Sequence, residues 1–336
     1  MAGVVARQDL RTPAVLVLVL QTSAVAAVYY AGARLGLLYD LTVDGSVVSP
    51  IWPPTGIAVA SLLLLGPHCW PGITLGALLV LVHLSGTPQW SSLGVLFGNT
   101  AAPVCAYLLL RRLGFRTDLS RLRDCVGLVF LGAFTAMLVS SSIGTALLVG
   151  TGDLPPGHFW SVWLAWWVGD AMGVLLVAPV LLLLPRVRSP VHWSRWKEAL
   201  GLVVIAAALV PFATHSPASL LFSVYPLLIW AALRFELPGS ILCALFASVL
   251  ATHAATVRTG PFEHLSNVQV MINLHAFNAA AALTSLLLSA VITEQHNTRR
   301  SVERACQELV EVLEHLTAGE APPPERASRE KGPGAG

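Results

Sequence analysis

Charge is the scarcest property of this chain: Asp, Glu, Lys and Arg together make up 11% of its 336 residues, against 55% apolar ones. An ordinary soluble domain carries about a quarter charged residues, so this chain has too few to cover a water-facing surface. Lysine is almost missing, with Lys197 and Lys331 the only two, and the arginines gather in short connectors rather than on one face. That excludes a nucleic-acid patch, and no nucleic-acid partner is expected. Cys69, Cys105, Cys125, Cys243 and Cys306 form no CxxC pair and read as small apolar fillers. No HxxxH or HExxH pair, P-loop or GxSxG elbow occurs, and no long polar stretch could hold a catalytic domain. No enzyme activity, metal or cofactor is therefore expected. Haem held between helices by His83, His253 or His275 is the one such group that spacing does not exclude.

What the chain has in abundance is apolar runs. They fall near 13–30, 55–65, 70–84, 90–110, 125–149, 159–184, 199–212, 220–233, 239–257 and 270–293. Most approach the roughly 20 residues needed to cross a bilayer. The fold class expected is all-α and polytopic, a bundle of 8–10 transmembrane helices, some short or broken. The runs at 55–65 and 70–84 are short, and Pro67 and Pro71 lie between them, so this pair could be half-crossings or a re-entrant pair. Arg7, Arg11 and the AGA at 31–33 have the look of a signal peptide, but the apolar run is long for one and an uncleaved first span is expected.

The arginines concentrate in three connectors: RRLGFRTDLSRLRD at 111–124, PRVRSPVHWSRWK at 185–197 and HNTRRSVER at 296–304. Positive charge marks the cytoplasmic side, and alternate counting then puts both termini in the cytoplasm. The expected organisation is a cytoplasmic segment at 1–12, a membrane domain at 13–293, an amphipathic cytoplasmic helix at 294–317 and a disordered tail at 318–336. In the helix, Val302, Ala305, Leu309, Val312 and Leu316 recur at steps of three and four, a seam of about two heptads. Glycines repeat four apart at Gly32 and Gly36, Gly72 and Gly76, Gly94 and Gly98, and Gly169 and Gly173. Such pairs let helix backbones approach closely, either inside one bundle or between two copies in a homodimer.

The stretch WLAWWVGDAMGVLLVAP at 163–179 plants a carboxylate, Asp170, in an apolar run. An ionisable group in a membrane is costly unless paired, hydrated or protonated, and is a functional candidate for that reason. Helical spacing puts Trp163, Trp166, Trp167, Gly173 and Val174 on its face. Asn99, Thr100 and the serines at 140–142 are polar groups that could meet it. Asp170 is thus either a ligand or proton site facing a cavity, or a buried latch. Trp52, in SPIWPPTGIA at 49–58, either anchors the chain at the interface or belongs to a non-helical entry with free amides facing a cavity. The candidate ligand-binding residues are Asp170, Trp166, Trp167, Trp163, Asn99 and Trp52. The pairs Tyr39–Asp40 and Gly169–Asp170 have a superficial likeness to an intramembrane aspartyl protease, but Trp167 stands where that signature needs its first glycine.

Taken together, PIWPPTGIA at 50–58, LGPHCWPGITLGA at 65–77, GNT at 98–100, FWSVWLAWWVGDAMGVLLVAPVLL at 159–182 and YPLLIWAALRF at 225–235 resemble the bacterial membrane-associated sensor domain MASE, type one. The resemblance covers about 15–296. It implies an integral membrane input domain of signal transduction in the bacterial plasma membrane, of the kind that precedes a histidine kinase or cyclic-di-GMP enzyme. Matching positions include Trp52, Gly98, Asn99, Trp166, Trp167, Gly169, Asp170, Pro179 and Arg234. Members often carry a glutamate after GNT, where Ala101, Ala102 and Pro103 stand here. No output domain follows the resembling region, so a separate kinase or cyclic-di-GMP enzyme is the expected partner, with the lipid bilayer as surroundings. A transporter or substrate-capture protein, and a membrane scaffold subunit, are the alternatives.

Overall fold

The computed structural model describes residues 11–43, 46–85, 90–186, 195–216 and 220–317. The tail expected at 318–336, most of the first segment and the core of the second basic connector lie outside the described residues. The chain forms two compact units, Met1–Ile292 and Thr293–Gly336.

The first unit is a helical bundle. Its helices are α1 (Arg11–Gly36), α2 (Pro53–Leu65), α3 (Trp70–Ser85), α4 (Trp90–Arg112), α5 (Leu122–Gly127), α6 (Leu138–Gly150), α7 (Phe159–Met172), α8 (Ala178–Leu183), α9 (Trp196–His215), α10 (Val224–Val257) and the first half of α11 (Asn267–Thr317). Wider π-helical turns join α5 to α6 at Leu128–Thr135 and α7 to α8 at Gly173–Val177. Among the described residues, eight helices are long and apolar enough to cross a membrane. The chain is an all-α, multi-pass membrane protein. Among the described residues the strands are limited to one antiparallel pair, β1 (Leu41–Val43) and β2 (Ser46–Val48), with Leu41 opposite Val48.

Two elements refine the expected spans. Helix α3, with the turn before it, forms an 18-residue span at Pro67–Leu84, whereas α2 has only 13 residues. Helix α2 starts where α1 ends, with Gly36 against Pro53 and Trp52 and Gly32 against Ile57. It finishes near the middle of α1, where the His68 ring hydrogen-bonds the Gln21 side chain at 3.2 Å. At 34 residues α10 is nominally one helix, but Glu236 stands at φ 54° and ψ −144° inside it. Ser240 Oγ donates to the Leu228 carbonyl at 3.2 Å, a pair that a straight helix would hold about 18 Å apart. The chain therefore reverses at Glu236 into two arms, 224–235 and 237–257. Arg234 and Glu198 pair at one end of α9, and Gly260 packs on Thr214 and His215 at the other.

The four glycine pairs pack inside the unit. Gly72 and Gly76 admit Thr22, Val25 and Tyr29 of α1, Gly94 and Gly98 admit α6, and Gly169 and Gly173 admit the chain at 49–55. In lipid such close backbone approach is a main source of helix association. Arg234, singled out only through the family resemblance, makes a bidentate pair with Glu198, Nε–H to Oε2 at 2.9 Å and Nη2–H to Oε1 at 2.6 Å.

In the second unit, the part of α11 from Glu294 onward is exposed as far as its side chains are described, through Glu314. Val302, Leu309 and Val312 are among its exposed apolar residues, and Arg299 pairs with Glu303 at 2.9 Å, one helical turn apart.

Candidate ligand cavity

Asp170 sits one residue past Gly169 on α7, close to where that helix widens into its π-helical turn. There the Gly173 N–H is shared between the carbonyls of Gly169 and Asp170. Each carbonyl has a second lone pair, and both are used. The Trp52 N–H donates to the Gly169 carbonyl at 3.0 Å, and Thr55 Oγ1 donates to the Asp170 carbonyl at 3.0 Å and to the Trp52 carbonyl at 2.8 Å. Only glycine permits this approach, because a Cβ on Gly173 would strike the Trp52 carbonyl oxygen and one on Gly169 the Ser49 carbonyl oxygen. Residues 49–56 thus form a strap bonded backbone to backbone onto α7. Its prolines, Pro53 and Pro54, open α2, and the Trp52 amide is engaged by Gly169 rather than left free. On another side of the strap the His275 ring of α11 lies beside the Pro50 carbonyl.

The Asp170 side chain is 7% exposed and forms part of the wall of a cavity of about 650 Å³. Ser140 Oγ of α6 lies 2.5 Å from Asp170 Oδ2 and 3.0 Å from the Met137 carbonyl. Beside it the wall holds Asn99, Trp52, Trp166 and Tyr29, while the apolar lining includes Leu37, Val80, Val95 and Leu148. Tyr29 is 1% exposed, and its hydroxyl finds no hydrogen-bond partner among the described residues. Exposed groups rim the cavity: Arg34, Asp40, His83 and Asp153. Arg34 Nη1 donates to His83 Nε2 at 2.9 Å, and Thr151 Oγ1 donates to Asp153 Oδ2 at 2.6 Å.

Four of the six candidate residues, Asp170, Trp166, Asn99 and Trp52, line this cavity. Trp163 and Trp167 do not. Trp163 Nε1–H donates to Ser142 Oγ at 3.0 Å and Trp167 Nε1–H to the Phe134 carbonyl at 2.7 Å, with their rings stacked 5.8 Å apart. The expected single polar seam on α7 is therefore divided. Trp166 faces the cavity and packs on Gly144, and the other two indoles fasten α7 to α6 and to the π-helical turn before it. Of the serines, Ser140 meets Asp170 while Ser141 donates only back to the Met137 and Leu138 carbonyls.

The histidines considered for haem stand apart: His83 is on Arg34, His253 is edge-on to Tyr39 at 5.5 Å, and His275 is at the strap. Among the described residues no three His, Cys, Asp or Glu side chains gather as metal ligands. Tyr29, Arg34 and Asp153 had escaped sequence reasoning. The available signal was weak: a polar group in or beside an apolar run, on the side poor in arginine.

Comparison with known proteins gives one family: the profile described as MASE1 matches residues 21–296. No curated protein and no solved structure matches the chain.

Proposed function

The chain belongs to the MASE1 family of membrane sensor domains, and we propose that it binds a small ligand over Asp170 and reports its presence without converting it. The observation that carries this reading is a buried carboxylate in the wall of a 650 Å³ cavity, a size that suits small-molecule recognition. The same carboxylate's backbone is bonded to the strap, and the strap lies against α11 where Pro50 meets His275. A ligand pressing on Trp52 and Asp170 acts on both connections, and it shifts the bundle only by its differential affinity for two packings.

The domain organisation carries over into this proposal: 13–293 senses, and 294–317 passes the change to a separate histidine kinase or cyclic-di-GMP enzyme. The protein lies in the bacterial plasma membrane with both termini cytoplasmic. Support comes from α4, which runs from Ser92 at the cavity past Asn99 to Arg111 and Arg112. The rim therefore lies at the end away from that basic connector, facing out of the cytoplasm.

The test pairs Asp170→Asn with deletion of 295–316. Asp170→Asn abolishes the output response while the protein still reaches the membrane, and the deletion loses a co-purifying kinase or cyclic-di-GMP enzyme. An unchanged response in Asp170→Asn overturns the assignment. The non-helical strap that leads into the short helix α2 beside Asp170 also suits a transporter site; accumulation of a labelled compound in vesicles only when the protein is present would favour that reading.

A further inference from the structure

We propose that the cavity selects an organic cation, an ammonium group on an aromatic or branched apolar body. This rests on the cavity being a ligand site, and it adds the chemistry of the ligand. Among the described residues three carboxylates line the space, Asp40, Asp153 and Asp170, against one guanidinium, Arg34. Arg34 donates to His83 Nε2, a bond that needs a lone pair on that nitrogen, so the imidazole adds no positive charge while the bond is made. The cavity is thus net negative, and a wall of one sign in a low-dielectric setting concentrates ions of the opposite sign.

The aromatic groups point to the same class. Trp52, Trp166 and Tyr29 line the space near Asp170, and indole and phenol faces attract ammonium groups, most strongly when water is excluded. Among the described residues no group hydrogen-bonds the buried Tyr29 hydroxyl, a polar group that a ligand N–H would complete. An anion would meet three carboxylates, and its one cationic contact, Arg34, stands at the exposed rim. A bare inorganic cation would leave Leu37, Val80, Val95 and Leu148 facing empty or watery space, whereas an apolar body covers them.

The experiment is equilibrium binding to the full chain in phosphatidylcholine nanodiscs, using three isosteres: 2-phenylethylammonium, 2-phenylethanol and 3-phenylpropanoate. Empty discs correct for partition into lipid. The expected result is that the ammonium binds about tenfold or more tighter than either isostere. In Asp170→Asn it falls to the level of the alcohol, and in Asp170→Glu, which restores the charge, binding is partly recovered. Thermal unfolding of each variant shows that it is folded. If the alcohol or the carboxylate binds as tightly as the ammonium and Trp166→Leu removes that binding, the cation class is overturned while the cavity stands as a ligand site. If nothing binds above empty discs, or binding ignores both Asp170 and Trp166, the cavity reading fails together with the cation class.

Discussion

The Ser140 hydroxyl has one hydrogen and two oxygens competing for it, Asp170 Oδ2 at 2.5 Å and the Met137 carbonyl at 3.0 Å. Facing a carboxylate, it donates to Asp170 and leaves Met137 to its helical bond. Facing a protonated carboxyl, it accepts from Asp170 and donates to Met137. Either way Ser140 is the side-chain partner of the buried acid, whereas Ser141 bonds only within its own helix. Ser140→Ala should therefore destabilise the purified protein by about 1–3 kcal/mol, the usual cost of stranding a buried polar group. Ser141→Ala should cost only a few tenths of that, and thermal unfolding in detergent separates the two; equal losses would remove Ser140's special place. At this scale Asp170 was legible because a carboxylate in an apolar run is conspicuous. Trp163 and Trp167 were not, because helical spacing gives an angle around α7 and says nothing of which neighbour waits there. Their indoles reach Ser142 and the Phe134 carbonyl, groups known to be close only once the packing of α6 on α7 is known.

The strap is bonded to the α7 backbone at Gly169 and packed closely on Gly173 in the turn that follows, so the side chain that matters most at this contact is the one that is absent. A Cβ at Gly173 would meet the Trp52 carbonyl oxygen, which is backbone and cannot rotate aside, while a Cβ at Gly201 in α9 meets nothing within 4 Å. Gly173→Ala should therefore lower the unfolding temperature and weaken ligand binding together, since it pushes away the residue that carries the Trp52 ring. Gly201→Ala should lower neither, because alanine is the better helix former and no neighbour is in its way. A Gly173→Ala protein as stable as the parent would show that the strap is not held in this way. The small-residue spacing was visible in the sequence, but not its partner: two glycines four apart announce a close approach without saying whether a helix or an extended strap makes it. The reversal in α10 was easier to read, since Arg234, Glu236 and Pro238 interrupt an apolar run that would otherwise pass for one long helix. The β1–β2 hairpin left no such mark, each strand being only three residues long.

At the scale of the whole bundle, the cavity draws its rim from α1, the segment after it, α3 and the loop that follows α6. That convergence depends on the order of helices in space, which periodicity does not encode; this is why Arg34 and Asp153 escaped notice while the polytopic class was plain from composition. It also yields a topological prediction. Arg34 and His83, in the last turns of α1 and α3, are hydrogen-bonded although α2 lies between the two helices in sequence, so α1 and α3 run the same way and α2 must return the chain between them. Asp153 joins them at the rim, and Phe115 follows the arginines at the opposite end of α4. In a background carrying Cys306→Ser, which removes the exposed native thiol, Asp153→Cys should react with a membrane-impermeant maleimide applied to intact cells. Phe115→Cys should react only after the membrane is opened, because the proposed orientation puts its arginine-rich connector in the cytoplasm. Labelling of both positions from outside would place them on one face of the membrane and overturn the rim's assignment; labelling of Phe115→Cys alone would invert the protein and point the cavity into the cell.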